Sequence, residues 1–207
     1  MKKLVIIDYG MGNLWSVMSA IEYLGLQTVI SNDPKVISKS ELLILPGVGS
    51  FRIAMKRLKE LHIDEAIYEV LKKEKSKILG ICLGMQLLGN SSDEDGHTEG
   101  LGIVPLNFKH FDKEVDGKSL KVPHVGFNSI APSQSKGIFK TLPNNPNFYF
   151  VHSYRSTEAP LGYISAKCNY GQEFIAAFDN GKIAGTQFHP EKSQTNGLIM
   201  LKNFIEQ

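Results

Sequence analysis

The chain has 207 residues, against a usual domain size of about 100 to 200, so a single domain over 1–207 is expected, with a core large enough to need no disulfide staple. Hydrophobic residues make up 42% and charged residues 21%, which excludes a collagen-like, mucin-like or wholly disordered chain. Lysine and arginine number 23 against 21 acidic residues, a formal net charge of +2, so no broad electrostatic footprint for nucleic acid or an anionic membrane is expected.

Met1-Lys2-Lys3 has the charge of an export signal, but the apolar run that follows stops at Asp8, too short for the hydrophobic region of such a signal. Residues 3–7 read as a buried strand, followed by a glycine turn over 8–12 and a helix over 13–24. In that helix Val17, Ala20, Ile21 and Leu24 recur at helical spacing, and Gly25 suits its stop. Residues 26–30 and 41–45 read as two further strands and 53–75 as a helical region. Residues 77–81 form a fourth strand that runs straight into Cys82 and another helix. From about residue 101 the pattern changes to short strands at 120–122, 148–152, 163–168, 173–178 and 182–187, and 197–205 closes the chain as a helix. Strand and helix alternating, then strands in succession, predict an α/β fold whose parallel half is joined to a β-rich, antiparallel or mixed half. No stretch approaches the roughly 18 apolar residues of a membrane span. Two cysteines, Cys82 and Cys168, make no disulfide framework, so a reduced, cytoplasmic protein is expected.

As a small apolar core residue Cys82 would be ordinary. Gly80-Ile81-Cys82-Leu83-Gly84 also fits a nucleophile elbow, a sharp strand-to-helix turn that exposes one side chain between small neighbours. Helix N-terminal amides there favour a thiolate and can hold an oxyanion. A thiolate acting on a carboxamide needs a base, and the base needs an orienting carboxylate. Gln187-Phe188-His189-Pro190-Glu191 offers both, because an extended segment through Pro190 puts His189 and Glu191 on one side. His62, His97 and His110 stand in polar or amphipathic surroundings and read as solvated, whereas His124 and His152 lie in apolar and turn contexts that mark them for attention. Leu45-Pro46-Gly47-Val48-Gly49-Ser50 follows another strand and would let backbone amides approach a ligand.

Other motifs fail. Gly10-Met11-Gly12 lacks the third glycine of a dinucleotide fingerprint, where Trp15 stands, and Gly117-Lys118-Ser119 lacks the first glycine of a phosphate loop, where Asp112 stands. No pattern suggests a metal or other cofactor. Asp93-Glu94-Asp95-Gly96 reads as a solvated acidic turn.

Taken together and in order, Pro46-Gly47-Val48-Gly49-Ser50-Phe51, Gly80 to Gln86 and Phe188-His189-Pro190-Glu191 resemble the class I, triad-type glutamine amidotransferases. Asp8 to Asn13, Thr98 to Gly102, Pro123-His124-Val125-Gly126, Phe150 to Tyr154 and Glu191-Lys192-Ser193 are similar to segments of the family's glutaminase subunits of imidazole glycerol phosphate synthases. The resemblance spans essentially the whole chain. It implies a flavodoxin-like α/β fold, a central mostly parallel sheet flanked by helices, with Cys82 as nucleophile, His189 as base and Glu191 as its orienting carboxylate. It implies an oxyanion strand of Gly47, Val48 and Gly49 with the amide of Leu83, and a glutamine site from Gln86, Glu99, His152, Ser153 and Tyr154. The partner it implies is a (β/α)8-barrel cyclase subunit receiving ammonia through an internal channel, met by Asn13, Pro123, His124, Phe127, Asn128 and Lys192. Phe127 stands where the family usually carries tryptophan, and Trp15 where a basic or small residue is usual. The alternative left open is a paralogous glutaminase serving a barrel synthase of amidino-sugar synthesis.

Overall fold

The computed structural model describes residues 4–207, so Lys3 of the expected first strand lies outside the described residues, as do Met1 and Lys2. Four strands, β1 (Leu4–Ile7), β2 (Thr28–Ser31), β3 (Leu42–Leu45) and β4 (Lys77–Ile81), pair in parallel in the order β2-β1-β3-β4. The strand Ile183–Thr186 adds in parallel beside β4. Beyond it Gln172–Asp179, Ile164–Tyr170 and Ala131–Pro132 follow antiparallel, so among the described residues four of the seven pairings in this sheet are parallel. The parallel order is that of a doubly wound flavodoxin-type sheet, in which ligand sites form beyond the carboxyl ends of the strands.

Among the described residues six α-helices accompany the sheet: α1 (Leu14–Tyr23), α2 (Pro34–Ile37), α3 (Phe51–Glu60), α4 (Ile63–Lys72), α5 (Leu83–Leu87) and α6 (Gln194–Glu206). Alternate residues of β1 and β3 point to opposite faces, as the pleat requires. Leu4, Ile6, Leu42 and Ile44 join α1 and α6 in one core, while Val5, Ile7, Leu43 and Leu45 join α3 and α4 in the other. Strands buried on both faces read as unbroken apolar runs, which is why they are legible in the sequence.

Two expectations are corrected, and one element goes unread. The helical region 53–75 is two helices, because Phe51, Ala54, Met55 and Leu58 carry one apolar stripe and Ile63, Ala66, Ile67 and Val70 carry the same spacing one residue out of phase. A single helix could not bury both stripes, and His62 makes the break at φ 53°. Residues 120–122 are not a strand but lead into His124–Ser129, which pairs antiparallel with Asn147–His152 in a separate ribbon that sets His124 opposite His152. The short helix α2 escapes the periodicity because it is four residues long; Pro34 at its first position and the Asp33 cap on Lys35 N–H at 2.8 Å start it.

The turn from β4 into α5 is packed against β3 backbone to backbone. A Cβ on Gly84 would collide with the carbonyl oxygen of Leu45, and one on Gly80 would stand 2.7 Å from the Gly84 carbonyl. Gly84→Ala is therefore expected to destabilise the fold by about 3 kcal/mol or more; an unchanged urea midpoint would show that the contact relaxes.

Candidate active site

β4 is buried and ends at Ile81, so the next residue must leave the sheet and open α5 in one step. Cys82 does this at φ 53°, ψ −109°, a conformation that costs a side-chain-bearing residue about 1–3 kcal/mol and persists only where its surroundings hold it. Its N–H donates to the Thr186 carbonyl of the adjacent strand at 2.7 Å. The sulfur lies 3.8 Å from the Val151 carbonyl and 3.9 Å from Gln187 Nε2.

The base candidate arrives from the neighbouring parallel strand. Ile81 pairs with Thr186, so Cys82 and His189 emerge from the same ends of adjacent strands. His189 N–H donates to the Tyr149 carbonyl at 2.9 Å, and Ser193 Oγ donates to the His189 carbonyl at 2.6 Å, which clamps the segment from both sides. Past Pro190 a short 3-10 turn brings Glu191 back, and its Oε1 lies 2.8 Å from His189 Nδ1 with both side chains almost fully buried. Burial works against charge on this ring, but the Cys82 sulfur and the Glu191 carboxylate outweigh it and raise the His189 pKa to about 10. Nε2 has no well-formed hydrogen bond in the resting site; catalytic contacts of this kind are commonly loose until substrate arrives.

Cys82 opens onto a cavity of about 290 Å³. One wall is the loop after β3, with Val48 and Gly49, and another is Leu83 and Gln86 of α5. Gly47 supports the loop from behind: Tyr9 hydroxyl donates to the Pro46 carbonyl at 2.8 Å, and a Cβ on Gly47 would meet that hydroxyl and the Leu83 Cβ. Gly49 takes φ 101°, open to glycine at little cost. The third wall is the turn His152-Ser153-Tyr154, with Val151 and Pro123 at its side.

The expected glutamine site needs one correction. Glu99 is exposed on the short pair Ser91–Ser92/Thr98–Glu99 and borders a different hollow. The carboxylate in the Cys82 cavity is Glu94, which a reading of its segment as a solvated acidic turn misses. Glu94 Oε2 accepts the N–H of Phe51 at 2.8 Å, tying it to the start of α3, and its pKa is raised chiefly by burial.

The expected partner face also divides. Strand alternation turns Val125 and Phe127 outward, 55% and 49% exposed, with Val151 beside them at 36%. His124 points the other way and is 1% exposed among Phe111, Phe150 and Tyr170, and Asn128 donates to the Asn169 carbonyl at 3.3 Å. His124 is thus turned into the core, while Asn128 is half-buried on the ribbon. Asn13 caps α1 through Ser16 N–H, Lys192 is exposed with its ammonium 6.0 Å from the Tyr149 ring, and Trp15 is 69% exposed. His110, expected to be solvated, is half-buried edge-on against Tyr154. Among the described residues no group of three or more His, Cys, Asp and Glu could hold a metal ion, and no helix is long and apolar enough to cross a membrane.

A nucleophile on a strained turn, an imidazole held by a buried carboxylate, glycine-rich amides opposite and a carboxylate across the cavity are the parts of an acyl transfer from a small amine-bearing carboxamide. Residues 5–207 match the family Glutamine amidotransferase class-I. The chain is 45% identical to Imidazole glycerol phosphate synthase subunit HisH 1 of Parasynechococcus marenigrum, over 99% of this chain and 98% of that one. It is 44% identical to subunit HisH of the same synthase in Geobacter sulfurreducens, over 100% and 99%. A glutamine amidotransferase of known crystal structure shares the fold at TM-score 0.73 and 16% identity, covering 98% of this chain and 97% of that one.

The His189 ring is expected to remain an imidazolium from neutral pH up to about pH 10, and Glu191→Gln to bring its titration down. Since its ordinary value is 6.5, its contribution to stability is whole below that pH and is lost as the pH rises through about 10. Ring 15N shifts of His189 across this range check both; a neutral ring at pH 7 would refute the charged pair.

Proposed function

This chain belongs to the class-I glutamine amidotransferase family, and we propose that it is the glutaminase subunit of an imidazole glycerol phosphate synthase in histidine biosynthesis, working as one catalytic domain over residues 1–207. The observation that carries the chemistry is the convergence of Cys82, His189 and Glu191 at the ends of two adjacent parallel strands, facing one cavity. The names of relatives at 43–45% identity favour this reading over amidino-sugar synthesis.

In the proposed mechanism glutamine lies in the cavity with its α-ammonium against Glu94 and its side-chain carbonyl between Cys82 and the loop Gly47 to Gly49. The Cys82 sulfur attacks the carboxamide carbon, and the amides of that loop and of Leu83 take up the oxyanion. Each such donor is worth about 100 to 1,000-fold in rate. The His189 imidazolium gives its proton to the leaving nitrogen, ammonia departs and a glutamyl thioester remains. His189, now neutral, takes a proton from water as it attacks the thioester; the C–S bond breaks, its electron pair returns to sulfur, and glutamate leaves. Glu191 holds the ring in one tautomer and supports its charge throughout.

Ammonia released into bulk water at neutral pH would be protonated and lost as a nucleophile, so the site has to discharge into an acceptor protein. We assign that role to a (β/α)8-barrel cyclase docked over Val125, Phe127 and Val151. These exposed apolar side chains adjoin Pro123 at the rim of the cavity, with Asn13 and Lys192 as polar flanks. Contiguous exposed apolar surface of this kind marks an interaction site.

In the assembled complex Cys82→Ala is expected to abolish glutamine-dependent synthesis and to leave ammonia-dependent synthesis intact; loss of both would remove Cys82 from the role. His189→Ala should lower glutaminase turnover by about 100 to 10,000-fold. Glu94→Ala should raise KM for glutamine while Glu99→Ala leaves it near the wild-type value, and the opposite pattern would return the glutamine site to Glu99.

A further inference from the structure

A line of buried polar side chains runs from the wall of the cavity inward, and the triad does not use it. Its fixed point is the backbone carbonyl of Tyr154, which can only accept hydrogen bonds. Two donors converge on it: His152 Nδ1 at 2.9 Å and Gln86 Nε2 at 3.4 Å. Because Nδ1 of His152 must carry the proton, its Nε2 is an acceptor, and it takes the Nδ1 proton of the buried His124 at 3.0 Å. Burial keeps both rings neutral, at pKa values of about 3 for His152 and about 4 for His124, so this arm holds the carbonyl in place over the whole working pH range.

The other arm leads to the nucleophile. With its amide nitrogen turned to Tyr154, Gln86 also donates to Gln187 Oε1 at 3.1 Å. That contact fixes which end of the Gln187 amide faces which neighbour. Its oxygen is occupied by Gln86, so its NH2 group is the end presented to Cys82 Sγ, 3.9 Å away. Gln187 is fully buried just past the end of the strand Ile183–Thr186, two residues before His189, with its N–H donating to the Ala176 carbonyl at 2.8 Å. It has no freedom to turn away.

We propose that Gln187 is a catalytic residue whose side-chain N–H donates to the Cys82 sulfur whenever that sulfur is anionic, an orientation imposed through Gln86 by the Tyr154 carbonyl. This rests on the reading of Cys82 as the nucleophile. The sulfur is anionic at two points: before it attacks the carboxamide, and when the C–S bond of the thioester breaks and the electron pair returns to it. In the thioester itself the sulfur is neutral and the donor gains little. The interaction therefore supports formation of the nucleophile and departure of the thiolate without holding the intermediate back. Hydrogen bonds to ionised groups are about twice as strong as neutral ones, and the water-excluded position of Gln187 adds to that.

The test is the rate of Cys82 alkylation by iodoacetamide between pH 5 and pH 9 in the full chain, read by mass spectrometry of the Cys82 peptide. Cys168 serves as a fold reporter, since it is buried with its pKa raised to about 11 and reacts only if the chain opens. Gln187→Leu removes the donor, and its profile is expected to move toward higher pH by about one unit relative to the wild-type chain. Gln187→Glu puts a carboxylate against the sulfur and should move it further. Gln86→Leu keeps Gln187 and adds no charge but removes the contact that fixes its amide orientation, and should shift the profile in the same direction by less. If both Gln187 variants expose Cys168, Gln86→Leu decides alone. A profile that coincides with wild type in the folded variants overturns the role of Gln187. Failure of glutamine to protect Cys82 from alkylation in the wild-type chain would instead overturn the reading of Cys82 itself.

Discussion

Cys82 stands at φ 53°, ψ −109° between a buried strand and a short helix, and the architecture around it is what that conformation requires. The strain is local, of about 1–3 kcal/mol, and it persists because neighbouring backbone leaves no alternative. Gly80 and Gly84 let the turn close on itself and on the Leu45 carbonyl, and the Cys82 N–H is tied to Thr186. β3 and β4 lie in register, Leu45 opposite Gly80, so the loop after β3 is delivered directly opposite the sulfur. A glycine-rich loop and a strained cysteine are thus two ends of one packing arrangement.

Three buried histidines show how strongly surroundings decide chemistry. His189 faces a carboxylate and a sulfur and is held charged, while His124 and His152 are enclosed by Phe111, Phe150, Tyr170 and Phe174 and are held neutral. The neutral pair satisfies the Tyr154 carbonyl at a wall of the cavity, and in the proposed mechanism the charged ring supplies the proton. The three are not independent: burial comes first in keeping His152 neutral, and the charges of His124 and His189 beside it push in the same direction. The Nδ1 proton of His124 goes to His152 and the Nδ1 proton of His152 to the Tyr154 carbonyl.

Glu94 joins the Cys82 cavity to the scaffold. Its carboxylate takes the Phe51 N–H at the start of α3, and the adjoining Asp95 meets Ser50 Oγ at 3.4 Å and the Arg52 guanidinium through its carbonyl. The loop over 47–49 runs directly into this clamp. The segment that carries the cavity's carboxylate and the loop over 47–49 are therefore tied to the same helix start.

By itself the sequence determined the apolar strands, the α/β class, the glycine-flanked Cys82 and the pairing of His189 with Glu191, because each is a short-range pattern: a run, a spacing or a turn whose meaning needs few neighbours. The one-residue phase slip between Leu58 and Ile63 was also present in the chain, though only the packing of two stripes onto one sheet face made it a break between helices. Tertiary structure alone decided that Glu94 rather than Glu99 enters the cavity, since both lie in short polar turns and only the clamp on α3 separates them. It also decided that His124 turns inward while Val125 and Phe127 turn outward, because facing in a strand depends on what the sheet packs against and not on the residues alone. Gln187 and Cys82 are separated by 105 positions, and no local pattern marks a contact made only when two strands lie side by side.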